Sequence, residues 1–217
     1  MKTRSLALPL VVLALFAFAA FPTRSQTVLT FDDLSETGSG TYLGEYGGLS
    51  WSGIGCNNAI LWTNIWASMP GSAGTAATNG LTGNFYGMVS ASNVADVIGT
   101  GEIDSPGTNF NFYSVYLTGW INSNLNVRVQ GFSDTNLVYD ETKVVAATYP
   151  TLFNFDYLDI NRLTFTCSGG QVAFGLYPYE NAVMDNFEFE FIPEPSSLPL
   201  AALGAVSLVA FLRRKRA

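Results

Sequence analysis

Strand-like alternation is the sequence feature that most constrains the fold of this chain. Between residues 26 and 192 no long stretch keeps a helical repeat of apolar residues, whereas Leu125, Val127 and Val129 alternate with polar residues. Alternate residues of a strand face opposite surfaces, so this segment buries one side only. Similar runs, separated by turn-forming residues, occupy residues 28–33, 110–117, 137–145, 163–167, 172–176 and 187–191. The spacing predicts an all-β, antiparallel β-sandwich.

The N-terminal residues have the pattern of a secretory signal peptide. Lys2 and Arg4 precede an apolar run over residues 6–21 that is too brief to span a membrane convincingly. We place cleavage before Gln26, because the strand-like alternation begins at Thr27. Residues 1–25 are therefore expected to be a signal peptide, and residues 26–192 a single β-sandwich ectodomain.

The C-terminal residues combine three features in a fixed order. Pro193, Glu194 and Pro195 form a proline-bracketed acidic triplet, which keeps the backbone extended and accessible. An apolar run at residues 198–212 and four basic residues follow, as in a single transmembrane helix whose end stays in the cytoplasm. A plain membrane anchor explains these features as well as a processed signal does.

The same order of triplet, membrane segment and basic cluster resembles the PEP-CTERM sorting signal of Gram-negative bacteria. The resemblance covers residues 193–217, and it implies a cellular localisation rather than a biochemical activity. It implies recognition by exosortase, a membrane enzyme thought to cleave at the triplet. The protein would then be exported through the inner membrane, held there transiently, and released to the cell surface or extracellular matrix.

Charge is distributed unevenly along the chain. The predicted ectodomain contains three basic residues (Arg128, Lys143 and Arg162) and sixteen acidic ones, a net charge of about −13. Nucleic acid is excluded as a partner by this charge, and the membrane is expected to be contacted only through the C-terminal helix before processing. Cations, neutral glycans and basic surfaces are compatible partners. Solubility alone also accounts for an acidic exported domain.

Two cysteines, Cys56 and Cys167, occur in this exported chain, which favours a disulfide between them. Cys167 is in phase with Leu163 and Phe165, so it is expected to face the core. The chain contains no histidine, which excludes Ser-His-Asp and Cys-His catalysis and imidazole-based zinc sites. We expect no catalytic residues. Paired carboxylates of a glycan-active enzyme stay an alternative, although sixteen acids single out no pair.

Two aspartates fall in the inward phase at the ends of predicted strands. Asp33 shares a side with Leu29 and Phe31, and Asp185 shares a side with Phe187. An inward carboxylate needs a partner, and calcium is a suitable one outside cells. The domain also resembles jelly-roll carbohydrate-binding modules, in which neighbouring first and last strands share a structural Ca²⁺. That resemblance implies a site at Asp32, Asp33, Asp185 and Asn186, whereas turn or cap roles are the alternative.

Three tryptophans have polar neighbours and loop settings: Trp62, Trp66 and Trp120. Sugar rings stack on exposed indoles, as they do in carbohydrate-binding modules, although most tryptophans of a sandwich belong to the core. Residues 71–87, rich in Gly, Ala, Thr and Asn, are expected to form a surface loop. The sequence thus predicts an exported structural or binding protein. A carbohydrate-binding module and a carboxylate-dependent glycan-active enzyme are the alternatives, with extracellular polysaccharide as a further partner.

Overall fold

The computed structural model describes residues 25–35, 40–62, 81–90, 92–173 and 179–193. Ser25–Ile192 forms one compact unit. The predicted signal peptide before Ser25, the residues after Pro193 and Trp66 lie outside the described residues. In the described part of the chain, no helix is both long and apolar enough to cross a membrane.

The described strands are antiparallel, which confirms the predicted all-β class. A one-turn helix, α1 (Gly83–Tyr86), follows the third strand in the chain. The strands are β1 (Thr27–Leu29), β2 (Thr41–Tyr46), β3 (Leu49–Asn58), β4 (Asn93–Asp104), β5 (Phe110–Gly119), β6 (Asn122–Ser123), β7 (Leu125–Ser133), β8 (Asn136–Val145), β9 (Thr151–Ile160), β10 (Arg162–Ser168), β11 (Gln171–Val172) and β12 (Asn181–Phe191).

The sandwich divides along β4, whose two halves pair with different strands. The first half pairs with β12 and continues through β5 to β9, which we call the front layer. The second half pairs with β10 and continues through β7 to β8, which we call the back layer. β3 follows β4 along both halves. Gly53 and Gly99 have φ of +67° and +68° where the paired strands are interrupted, a conformation that glycine adopts without strain.

The main core fills the space between the two layers. Leu125, Val127 and Val129 on β7 are fully buried there, as the alternation predicted. Aromatic side chains dominate the front layer's inner surface, where Phe112 stacks on Phe155 and Phe187 with centroid distances of 5.0 and 4.8 Å. Burial of this apolar surface supplies most of the driving force for folding.

A second, smaller core lies on the outer surface of the front layer. Val94 on β4 and Val183 on β12 belong to it, whereas their neighbours Ala95 and Ala182 belong to the main core. The remaining members come from connecting segments: Ala59, Trp120, Ile121 and Ala147, with Trp62, Tyr86 and Met88 packed against them. The front layer is therefore covered on both faces at this end.

Residues 81–87 help to form this second core, so the surface loop predicted for residues 71–87 is wrong in that part. Thr82 and Asn84 are fully buried. The Gly83 amide donates a hydrogen bond to the Trp120 carbonyl at 2.6 Å, and a Cβ on Gly83 would lie 2.0 Å from the Gly119 carbonyl oxygen. Glycine permits this close contact, and the small, polar composition concealed it in the sequence. Residues 71–80 lie outside the described residues.

The structure contains no disulfide between Cys56 and Cys167, which corrects the sequence prediction. Cys56 lies on β3 and Cys167 on β10, and β4 separates these two strands. Both side chains are buried in the main core, with Cys167 beside Leu163 and Phe165 as its phase predicted. Burial raises the pKa of the Cys167 thiol to about 12, so this thiol is unreactive at neutral pH. Both cysteines thus act as small apolar core residues.

Candidate functional site

A pocket of about 240 Å³ opens on the outer side of the front layer, beside the second core. Strands β2, β3, β4 and β12 and three connecting segments contribute to it. Its lining residues have small, aliphatic, amide or aromatic side chains, with one carboxylate among them. They are Gly40, Thr41, Tyr42, Gly55, Asn57, Trp62, Asp96, Ile98, Trp120 and Asn181.

Asp96 is the acidic residue of this pocket. It belongs to β4, where the inward residues Ala95 and Val97 join the main core and Asp96 takes the opposite face. Asn57 and Asn84 donate side-chain amide hydrogen bonds to Asp96 Oδ2, the second at 3.3 Å. The side chain is 92% buried, given its relative exposure of 8%. The other carboxylate oxygen, Oδ1, has no hydrogen-bond partner among the described residues.

The buried position of Asp96 changes its protonation. Burial raises the pKa of this carboxyl from 3.8 to about 7, although the hydrogen bonds from Asn84 and Asn57 act in the opposite direction. Desolvation disfavours the charged form, and no basic side chain is among the lining residues that the structure describes. Near neutral pH the pocket therefore contains a carboxyl group that exchanges readily between its neutral and charged forms.

Two of the tryptophans singled out in the sequence line the same pocket. Trp62 is half-buried, and Trp120 is 9% exposed, so the exposure expected for Trp120 is wrong. Trp120 is covered by the second core and by the Tyr179 ring, whose centroid lies 5.3 Å away. Tyr42, which is 69% exposed, supplies a third aromatic ring at the rim. The fourth tryptophan, Trp51, is a core residue at 4% exposure.

Asp185 is buried as predicted, but protein donors surround it. Asp185 Oδ2 accepts the backbone amides of Val89 and Ser90 at 2.7 and 2.9 Å. Asp185 Oδ1 accepts the Ser90 hydroxyl at 3.0 Å and the Asn186 amide at 2.7 Å. Burial raises the pKa of Asp185, and these donors partly offset that effect. The carboxylate therefore fastens the segment after α1 to β12 through hydrogen bonds.

Asp33 does not share the inward position of Asp185, which corrects the basis of the predicted calcium site. The β1 strand ends at Leu29, and Phe31 has a φ of +64°, so the alternation does not extend to Asp33. Asp33 is exposed and accepts the Tyr46 hydroxyl at 2.6 Å, while Asp32 accepts the Asn93 amide at 3.0 Å.

β1 does lie beside β12, as the resemblance implied. No group of three or more acidic, Cys or His side chains able to hold a metal occurs among the described residues. The calcium site therefore stays a prediction.

Sequence reasoning missed four polar residues of the pocket, Tyr42, Asn57, Asp96 and Asn181, and it missed Asn84, which hydrogen-bonds Asp96. One signal was available, because Asp96 interrupts the apolar run Val94-Ala95-Asp96-Val97-Ile98. A charged residue inside such a run is unusual, and it marks a strand whose second face meets polar groups. Asn84 gave no signal, since its position depends on how residues 81–87 fold back over the sheet.

The C-terminus matches a known sorting signal. Residues 191–216 match the PEP-CTERM protein-sorting motif, which marks the chain for export with a membrane-anchored sorting signal. Ile192 is the last residue of the compact unit, so the matched residues begin at the end of β12. No curated protein matches the chain in sequence.

Several solved structures are similar in fold at low sequence identity. A mutant of the family 29 carbohydrate-binding module CBM29-2 matches 79% of this chain and 98% of its own, with 10% identity and a TM-score of 0.37. The M60 catalytic domain with the CBM51-1 and CBM51-2 domains of Clostridium perfringens ZmpB matches 46% of this chain and 11% of its own, with 11% identity and a TM-score of 0.31. TmCBM61, solved with beta-1,4-galactotriose, matches 70% of this chain and 92% of its own, with 10% identity and a TM-score of 0.30.

Proposed function

We propose that this protein is an exported, exosortase-sorted carbohydrate-binding module of the cell surface or extracellular polymer matrix. The observation that carries the proposal is the pocket on the outer side of the front layer. It combines the rings of Trp62, Trp120 and Tyr42 with the polar groups of Asp96 and Asn181. Aromatic rings offer flat apolar surfaces to the CH faces of sugars, and amide and carboxyl groups hydrogen-bond the hydroxyls.

The size and charge of the pocket favour a short stretch of glycan. At about 240 Å³ it is smaller than the roughly 300–1,000 Å³ usual for drug-sized ligands, so we propose that it holds one sugar residue of a longer chain. An acidic sugar would meet Asp96 and the strongly negative surface of the ectodomain, which opposes its binding. A neutral or cationic sugar avoids this repulsion.

A binding role fits the pocket better than a hydrolytic one. Glycoside hydrolysis generally uses two carboxyl groups placed on either side of the scissile bond. Asp96 is the single carboxylate among the lining residues that the structure describes. We therefore propose that the module retains glycan without cleaving it.

Polysaccharide pull-down and a glycan array test this proposal with the purified full-length chain. Tyr42→Ala removes an exposed aromatic ring at the rim of the pocket, and Trp62→Ala removes a ring inside it. Each variant is expected to weaken glycan binding by about 5- to 100-fold, which is equivalent to about 1–3 kcal/mol per stacked ring. Tyr149→Ala is the matched control, because Tyr149 is 59% exposed and is not a lining residue. Equal binding by all three variants, or no glycan bound by the parent chain, would contradict the proposal.

A further inference from the structure

The buried carboxylate of the pocket points to a particular class of sugar. Asp96 Oδ1 is buried, lies on a residue that lines the pocket, and has no hydrogen-bond partner among the described residues. A buried acceptor left without a donor is costly, by about 1–3 kcal/mol. A ligand that places a donor at this oxygen removes the cost when it binds.

The charges around Asp96 decide which donor fits best. Its protein partners, Asn57 and Asn84, are neutral amides that both bind Oδ2. The basic side chains Arg128, Lys143 and Arg162 are not among the lining residues. Burial raises the pKa of Asp96 to about 7 for this reason, because the charged carboxylate has no counter-ion. A cationic donor would supply that counter-ion.

The aromatic rings of the pocket also favour a cationic ligand. Trp62, Trp120 and Tyr42 line the pocket, and the negative face of such a ring attracts an ammonium group. We infer that the pocket selects a hexosamine with a free, protonated amino group, and that Asp96 is the residue that determines this specificity. The inference rests on the proposed function and narrows its ligand from glycans in general to de-N-acetylated ones.

Pairs of glycans that differ at one nitrogen test the inference. The probes are tetrasaccharides of N-acetylglucosamine and of N-acetylgalactosamine, each in a fully acetylated form and in a form with one free amine. Binding to the full-length chain is measured by calorimetry at pH 7 and 0.15 M salt, which screens exposed charges beyond about 8 Å. We expect the free-amine form of at least one pair to bind about 10-fold tighter, since hydrogen bonds to charged groups are stronger than neutral ones.

Two variants with the same net charge separate the pocket from the general acidity of the domain. Asp96→Asn keeps the shape of the side chain but removes its charge, so it is expected to reduce the ratio of the two affinities from about 10 to about 1. Asp156→Asn removes an exposed carboxylate on β9 and is expected to keep the 10-fold preference. Loss of preference in Asp156→Asn as well would assign it to general charge attraction and would overturn the inference.

The remaining outcomes distinguish this inference from the proposed function. Acetylated and free-amine forms that bind the parent chain equally would overturn the specificity and leave glycan binding intact. A chain that binds no tetrasaccharide here and no glycan on the array would overturn both. Nα-acetyl-lysine amide serves as a competitor: displacement at concentrations as low as those of the amino sugar would show recognition of any ammonium group, which also overturns the inference.

Discussion

The protonation of Asp96 gives a direct test of the pocket's electrostatics. Asp96 is 92% buried, and burial raises its pKa from 3.8 to about 7. The folded protein therefore holds this proton more tightly than the unfolded chain does. Because the folded pKa is the higher one, the stabilisation by the protonated form is present at low pH and is lost as pH rises from about 4 to about 7.

The size of the effect follows from the two pKa values. A shift from 3.8 to about 7 is roughly 3 units, and each unit corresponds to about 1.4 kcal/mol, so the charged carboxylate costs about 4 kcal/mol of unfolding free energy above pH 7. Asp96→Asn cannot ionise and still presents an acceptor to Asn57 and Asn84. We expect it to match the parent protein at pH 4 and to be more stable by up to about 4 kcal/mol at pH 8.

Urea unfolding measured from pH 4 to pH 8 tests this expectation, with the difference between parent and variant plotted against pH. The difference cancels contributions from other carboxyls such as Asp185, which are present in both proteins. Asp156→Asn, which removes an exposed carboxylate and changes the net charge equally, is the matched control. Parallel curves for Asp96→Asn would mean that Asp96 ionises normally in the folded state, and the argument from burial would fail.

Three further predictions concern the tail, the cysteines and Asp185. Glu194→Ala is expected to leave a membrane-bound precursor in a host with exosortase, and mass spectrometry of the exported parent that found residues 213–216 would contradict sorting. Thiol labelling of the unfolded, unreduced protein should modify Cys56 and Cys167. If the protein is labelled only after reduction, the two cysteines form a disulfide after all. Asp185→Ala should lower the unfolding free energy by about 2–4 kcal/mol without any metal, because the Val89 and Ser90 amides lose their acceptor. The same variant tests the calcium prediction. If Asp185 binds calcium, added calcium should raise the melting temperature of the parent protein but not that of Asp185→Ala.

Local pattern in the sequence was sufficient to predict the class of fold and much of the main core. Alternation along residues 125–130 placed Leu125, Val127 and Val129 inside, and the phase of Cys167 was right, because a strand's two faces differ wherever one of them is buried. The C-terminal motif was likewise readable, since a sorting signal is recognised as a linear segment.

The tertiary structure determined contacts and residue positions that the alternation of apolar and polar residues does not predict. The phase of β1 failed at Asp33 because Phe31 leaves the strand conformation, which no pattern of apolar residues reports. The donors around Asp185 could not be foreseen either, because they come from Val89 and Ser90, almost a hundred residues away in sequence. The pocket joins Trp62, Asp96 and Trp120, which come from three segments that lie far apart in the sequence. Contacts between distant segments depend on three-dimensional packing. The sequence by itself therefore predicted the β-sandwich and the sorting signal, whereas only the tertiary structure showed which residues form the pocket.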